Sequence, residues 1–266
     1  MFQQPNDFRQ ESDALYALLK EKTDAELATV TQFKGWSIEN VIGHLHAWNN
    51  AADMSLQGGE DFKSYINTAL PAIQKGGMRG FEDQWLNGLK GRELLEAWRS
   101  FYLGMSDRFS AEDPKKRVQW AGPDMSVRSS ITARLMETWA HGQEVYDTLG
   151  VVRQDADHIK NIAVLGVNTF GWTFKTHGKP IPEDVPYIRL TAPSGDIWKW
   201  NAQSDTNLIE GSATEFCQVV TQARNIGDTN LKVSGDTATQ WMAIAQCFAG
   251  PPSVPPATGT RKTETS

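Results

Sequence analysis

The chain has 266 residues, with 26 Lys and Arg against 32 Asp and Glu and a formal net charge of −6. This length can bury a core in one large domain or two ordinary ones, and the acidic balance argues against nucleic acid or an anionic membrane as general partner. The opening MFQQPNDFRQESD has no apolar run and no later stretch is long enough to span a bilayer, so neither a signal peptide nor a membrane partner is expected.

Cys217 and Cys247 make no disulfide framework, and a cytoplasmic location is the simplest reading. In chain order, residues 9–29 read as an amphipathic helix with Leu15, Leu18, Leu19 and Leu27 at helical spacing. After TQFKGWS, Ser37 is a candidate N-cap with Asn40 three residues on, and a second helix runs to about Ala52. Residues 57–80 are Gly-rich at both ends and partly helical in pattern. A third helix carries Leu94, Leu95, Trp98, Phe101, Tyr102 and Met105. The loop SAEDPKKRVQWAGPDMS follows, and a fourth helix runs from near Ser129 to Gly150, which suits a left-handed C-cap. Residues 155–177 read as a fifth helix.

The character changes at HGKPIPEDVPY, where the prolines cannot continue a helix. Beyond it, YIRLTAP and DIWKWNA read as strands around a Ser194-Gly195 turn. GSATEFCQVVTQARN reads as a helix capped at Ser212, NLKVSGD as a short strand, and TATQWMAIAQCFAG as a helix capped by Asp236 and closed by Gly250. The fold class expected is therefore α+β: a helical region over 1–178, a small α+β unit over 179–250, and a Pro-, Thr- and Ser-rich tail over 251–266 that reads as disordered.

Two stretches carry the candidate chemistry, WSIENVIGHLHAWNN at Trp36–Asn50 and METWAHGQEVYDTLG at Met136–Gly150. On the fourth helix Glu137, His141 and Glu144 fall within about 60° of one another by the helix period. A carboxylate and an imidazole at i and i+4 can hold one ion. A third ligand must come from elsewhere, and His44 and His46 each lie roughly 90–110° from the centre of their helix's apolar stripe. Periodicity does not choose between them. Glu-x-x-x-His is also common on solvated helix faces, so spacing alone establishes no site. Both cysteines lie on apolar faces and read as core.

The pattern Trp36…His44 followed by Glu137-Thr138-Trp139-Ala140-His141-Gly142-Gln143-Glu144 resembles the DinB-like metal-binding superfamily, and within it the mycothiol-dependent maleylpyruvate isomerase family. The stretch from Trp198 to Gly250 is similar to that family's sterol-carrier-like C-terminal domain, so the resemblance covers about residues 9–250. It implies a DinB-like four-helix bundle holding a divalent metal, typically zinc, through His44, Glu137 and His141. Many relatives have Asp where Glu144 stands, a residue that could support His141 or reach the ion. Arg224 corresponds to an arginine of the family that reaches the cleft between domains, and Arg79, in GGMRGF, is a second candidate for holding a substrate anion.

Two nitrogens and a carboxylate leave a tetrahedral zinc with an open position, the mark of a catalytic site. Neither cysteine resembles a ligand, so any thiol must come from outside, and the resemblance implies an enzyme using a low-molecular-weight thiol cosubstrate. Mycothiol, glutathione, bacillithiol and ergothioneine are the candidates, for isomerisation of, or S-transfer to, a small electrophilic carboxylate. The alternatives are a zinc-dependent hydrolase on the same site and a non-catalytic metal-binding stress-response module. The partners expected are a small thiol and a small electrophile; oligomeric state is not readable.

Overall fold

A computed structural model describes residues 2–58 and 60–262. Two compact units are present, Met1–Val145 and Tyr146–Ser266. No described helix is long and apolar enough to cross a membrane.

The first unit is helical. Helix α1 spans Gln4–Leu19, with Pro5 in its first turn, where a missing N–H has no effect on the helix ladder. The helix expected over 9–29 is in fact two. A short α2, Asp24–Leu27, starts at Thr23, whose side chain and that of Glu26 form a reciprocal capping box. Helix α3, Ile38–Gln57, starts at the expected Ser37, and Asn40 completes a second capping box. It runs past Ala52 because Leu56 remains in the core and Gly58, at φ 78°, ends it. Helix α4, Glu60–Leu86, is broken at Gly77 (φ 75°, ψ 169°), a conformation that favours glycine. Helix α5 spans Gly91–Ser110. A minimal hairpin of β1 (Arg117–Val118) and β2 (Met125–Ser126) leads into α6, Val127–Thr148.

Leu15 and Leu19 of α1, Val41 and Leu45 of α3, Leu94, Trp98 and Met105 of α5, and Ile131 and Leu135 of α6 are all buried. Full burial of an aliphatic side chain of this kind contributes about 1.5–3 kcal/mol. Helices α1, α3, α5 and α6 therefore each bury an apolar face, as a helical bundle requires. A satellite cluster of Trp48, Phe62, Tyr65 and Phe81, with Trp120 from the hairpin loop packed against it, fills the α3–α4 side.

The second unit begins inside α6, at Tyr146, rather than near residue 179. The stretch 155–177 belongs to it because that stretch packs on the sheet's own helices. It forms a 3-10 turn (Asp157–Ile159), α7 (Lys160–Asn168) and α8 (Phe170–Thr176). A Cβ on Gly166 of α7 would stand 2.8 Å from Val220 Cγ2, so glycine allows this close approach. Strands β3 (Tyr187–Thr191), β4 (Ile197–Trp200), β5 (Leu208–Ser212) and β6 (Lys232–Ser234) form a sheet in the order β4-β3-β5-β6. Its central pair, β3 with β5, is parallel, with Ile188 opposite Ile209. Strand β5 is missing from the sequence reading: its LIEGS runs straight into α9 (Ala213–Val220), so a single helix with a Ser212 cap masks it. Ser212 stands at the N-cap, but its side chain makes no capping bond.

Helix α10, Asp236–Ile244, follows Gly235 rather than an Asp236 cap, and it stops before Gly250. It ends early because residues 245–247 leave the helix to bond elsewhere. Gln222 Nε2 donates to Ala245 O at 3.0 Å, and Cys247 N donates to Val220 O at 2.9 Å. The tail expected to be disordered is tied down over 251–262. Gln222 donates to Ser253 O, Asn225 to Pro256 O, and Gly259 N donates to Asp228. Proline-rich chain has few N–H groups of its own to satisfy, so side-chain amides of the folded unit anchor it without core residues. Residues 263–266 of that expectation lie outside the described residues.

Candidate metal centre

His44 on α3 and Glu137 and His141 on α6 converge, each offering one ligand atom, and those atoms lie within 4.8 Å of one another. Glu137 Oε2 is 3.5 Å from His44 Nε2 and 3.4 Å from His141 Nε2. One carboxylate oxygen thus faces both imidazoles, the arrangement that one shared cation requires.

Both rings are held from behind. Buried Glu82 Oε1 lies 2.6 Å from His44 Nδ1, and Glu144 Oε2 lies 3.1 Å from His141 Nδ1. A carboxylate at Nδ1 fixes the N–H there and leaves the Nε2 lone pair free to bind a metal. Glu144 thus supports His141 instead of joining the three converging atoms. Trp36, the residue that anchors the sequence pattern, stacks on His141 with ring centroids 5.7 Å apart and planes 10° apart, and it also packs against His44 at 5.3 Å. Phe33 meets His141 edge-on at 5.1 Å.

The electrostatics follow from this geometry. Burial opposes charge on Glu137, yet hydrogen bonds from His141 and His44, with Arg134 beside them, hold its carboxyl well below the usual range. Burial likewise opposes charge on His141, but Glu144 and Glu137 outweigh it and lift its pKa to about 10. A divalent cation held between these groups would replace that proton and meet an ionised carboxylate. The donor set, the common focus and the rear bracing all fit such an ion.

Glu82 is the site residue that the sequence reading lacks. Besides His44, it accepts from Trp48 Nε1 at 3.1 Å and, through Oε2, from Arg79 Nη1 at 3.0 Å. Trp48 is thus a hydrogen-bonding member of the site as well as a packing residue. Burial raises the Glu82 pKa, but His44, Arg79 and Trp48 together hold it below the usual carboxylate value. A glutamate in FEDQW just past a glycine break carries no motif; only its spacing from Arg79 hints at a role.

Arg79 is near the site but engaged, by Glu82, by Asp83 and by the Asn40 carbonyl. Arg224 is buried, and its two Nη atoms donate to the two carboxylate oxygens of Asp147, at 2.6 Å each. Cys217 and Cys247 are both buried, and burial pushes the Cys217 thiol far up, as expected of core residues.

His46 points away from the cluster. Its ring packs edge-on against Trp85 and Phe101, and burial lowers its pKa to about 4. The unfolded chain, near 6.5, then binds a proton that the folded one refuses, so stability is whole above pH 6.5 and falls towards pH 4. The expected loss is about 3 kcal/mol over that window. His46→Leu should flatten this part of the stability profile in urea titrations at pH 7 and 4.5 while leaving metal content unchanged. An unaltered slope would show that His46 is protonated in the fold.

A helical bundle with convergent His–Glu–His donors on two helices, followed by a four-stranded α+β unit, defines the class of protein. Residues 8–146 match the family described as the mycothiol maleylpyruvate isomerase N-terminal domain. The chain belongs to this family. It is 36% identical over 246 residues to an uncharacterized protein of Mycobacterium tuberculosis, found in strains CDC 1551 and H37Rv, covering 92% of this chain and 95% of the relative. In fold it is similar to the crystal structure of the mycothiol-dependent maleylpyruvate isomerase, with a TM-score of 0.55 and 16% identity over 87% of this chain and 92% of that one. A histidine-to-alanine mutant of that isomerase gives a TM-score of 0.54 at 16% identity, over 83% of this chain and 88% of the other.

Proposed function

We propose that the chain is a thiol-dependent isomerase that acts on a small electrophilic carboxylate, with a divalent ion, zinc being the best fit, held by His44, Glu137 and His141. The observation that carries this reading is the single focus of two rear-braced Nε2 atoms and one carboxylate oxygen. Membership of a family named for mycothiol-dependent maleylpyruvate isomerase supports the thiol and the reaction class. When bound there, the ion supplies the positive charge that keeps an added thiol ionised at neutral pH.

The chain's own residues do the rest. Glu82 and Glu144 keep both imidazoles turned with Nε2 towards the focus. Trp36 and Phe33 cover His141 and keep water from its ring face. Because both cysteines are buried, the thiol comes from solution. Its sulfur adds to one alkene carbon of a cis-enoyl substrate, and the alkene electron pair moves onto the conjugated carbonyl as an enolate. The former double bond then rotates, and collapse of the enolate expels the same thiolate and leaves the trans alkene, so thiol and protons balance. In an S-transferase the enolate is protonated instead and the adduct is the product. Arg79 serves as an anion-holding group in this reading only when its pairs with Glu82 and Asp83 open.

The test is calorimetric titration of the zinc-loaded chain with mycothiol, glutathione, bacillithiol, ergothioneine and cysteine, in buffers of different ionisation heat. One thiol should bind with release of about one proton, so that apparent enthalpy varies with buffer. Turnover of a cis-enoyl acid should then need both metal and that thiol. Zinc-loaded protein that binds none of the panel but hydrolyses an ester would instead establish the hydrolase.

A further inference from the structure

One turn before Glu137 on α6 stands Arg134, 4% exposed. Its Nη2 lies 3.8 Å from Glu137 Oε1, the carboxylate oxygen turned away from the two histidines. Its Nη1 has no hydrogen-bond partner among the described residues. The guanidinium sits under the hairpin loop, with Cζ 5.9 Å from the Trp120 ring centroid, and Trp120 in turn stacks on Phe62 and meets Trp48 edge-on. Tyr65, on α4, donates its hydroxyl to Ala47 O.

A buried guanidinium with an idle N–H is costly, and such donors are few in folded proteins. The ion pair with Glu137 is long, and a cation at the focus would draw on the same carboxylate. Arg79 and Arg224, by contrast, already have carboxylate partners. An arginine with a donor to spare, about 4.5 Å along the helix axis from a metal-ligating glutamate by the helical rise, suits a planar carboxylate lying beside the reacting alkene.

We propose that Arg134 is a binding residue for a carboxylate of the substrate, which takes the Nη1 hydrogen bond beside Glu137 as Trp120 gives way. This deepens the reading of the site as one for a carboxylated electrophile and rests on it for the identity of the substrate. It can be tested without thiol or turnover. Zinc-loaded full-length protein is titrated with maleate and with its uncharged diamide, and the ratio of the two dissociation constants is the readout. The wild type should prefer the acid. Arg134→Gln should reduce that preference about 10–100-fold, the worth of one charge-assisted hydrogen bond, and should still bind one zinc. Arg134→Lys, which keeps the charge if the glutamine variant fails to fold, should retain most of the preference.

If Arg134 only orients Glu137, Arg134→Gln weakens zinc and both probes together and leaves the ratio unchanged, which overturns the proposal. A chain that prefers the acid through Arg134 yet binds no thiol overturns the thiol reading and keeps this one. A thiol-dependent chain whose ratio is indifferent to Arg134 does the reverse.

Discussion

Replacing His44 by alanine should abolish the divalent-ion binding proposed for this site, and replacing His141 should do the same. Their Nε2 atoms face one oxygen of Glu137, at 3.5 and 3.4 Å, so removing either leaves two donors. Structural zinc sites with four ligands bind with about 10–16 kcal/mol, or about 2.5–4 kcal/mol per ligand. Loss of one ligand should therefore weaken binding by about 10²–10³-fold, readable by competition with a chromophoric chelator. Turnover at stoichiometric zinc should vanish with it. A chain with alanine at His44 that holds zinc as tightly as the wild type would place the site elsewhere.

The second large effect falls on a residue outside the ligand set. Glu82 is fully buried and accepts from His44, Trp48 and Arg79. Glu82→Ala removes the acceptor of three donors at once and leaves Arg79 only Asp83 and the Asn40 carbonyl as partners. Breaking a buried ion pair from one side typically costs about 3–5 kcal/mol. Zinc affinity should also fall about 10–100-fold, because His44 loses the partner that fixes its tautomer. Glu82→Gln keeps the volume and should recover part of the stability, but little of the metal binding. Urea midpoints and chelator competition measure the two losses separately. Unchanged zinc affinity in both variants would show that His44 needs no rear support.

Much of the helical part of the chain was legible because helices carry their rules locally. The Ser37–Asn40 capping box, the Gly150 terminus (φ 67°) and the apolar spacing of α5 need no knowledge of neighbours. The i, i+4 relation of Glu137 and His141 is of the same kind. What local rules miss are competitions between them. Thr23 ended α1 because a capping box outweighed a continuing apolar period. β5 was hidden because a strand passing directly into α9 leaves no turn residues to mark the join. Proline content alone misjudged residues 251–262, whose acceptors and donors are met by Gln222, Asn225 and Asp228.

The sequence by itself determined the candidate donors, their helices and, through the Trp36 pattern, a family. Only the tertiary structure decided which histidine meets Glu137. His44 and His46 sit symmetrically about their helix's apolar stripe, and a helical wheel records angles on one helix without saying which neighbour lies at each angle. Packing answers it: His44 faces α6 and Glu82, while His46 faces Trp85 and Phe101. Glu82 and Arg134 were invisible for the same reason. Their significance lies in a donor and an acceptor brought together, or left unmatched, across helices far apart in the chain, and no periodicity within one helix encodes that.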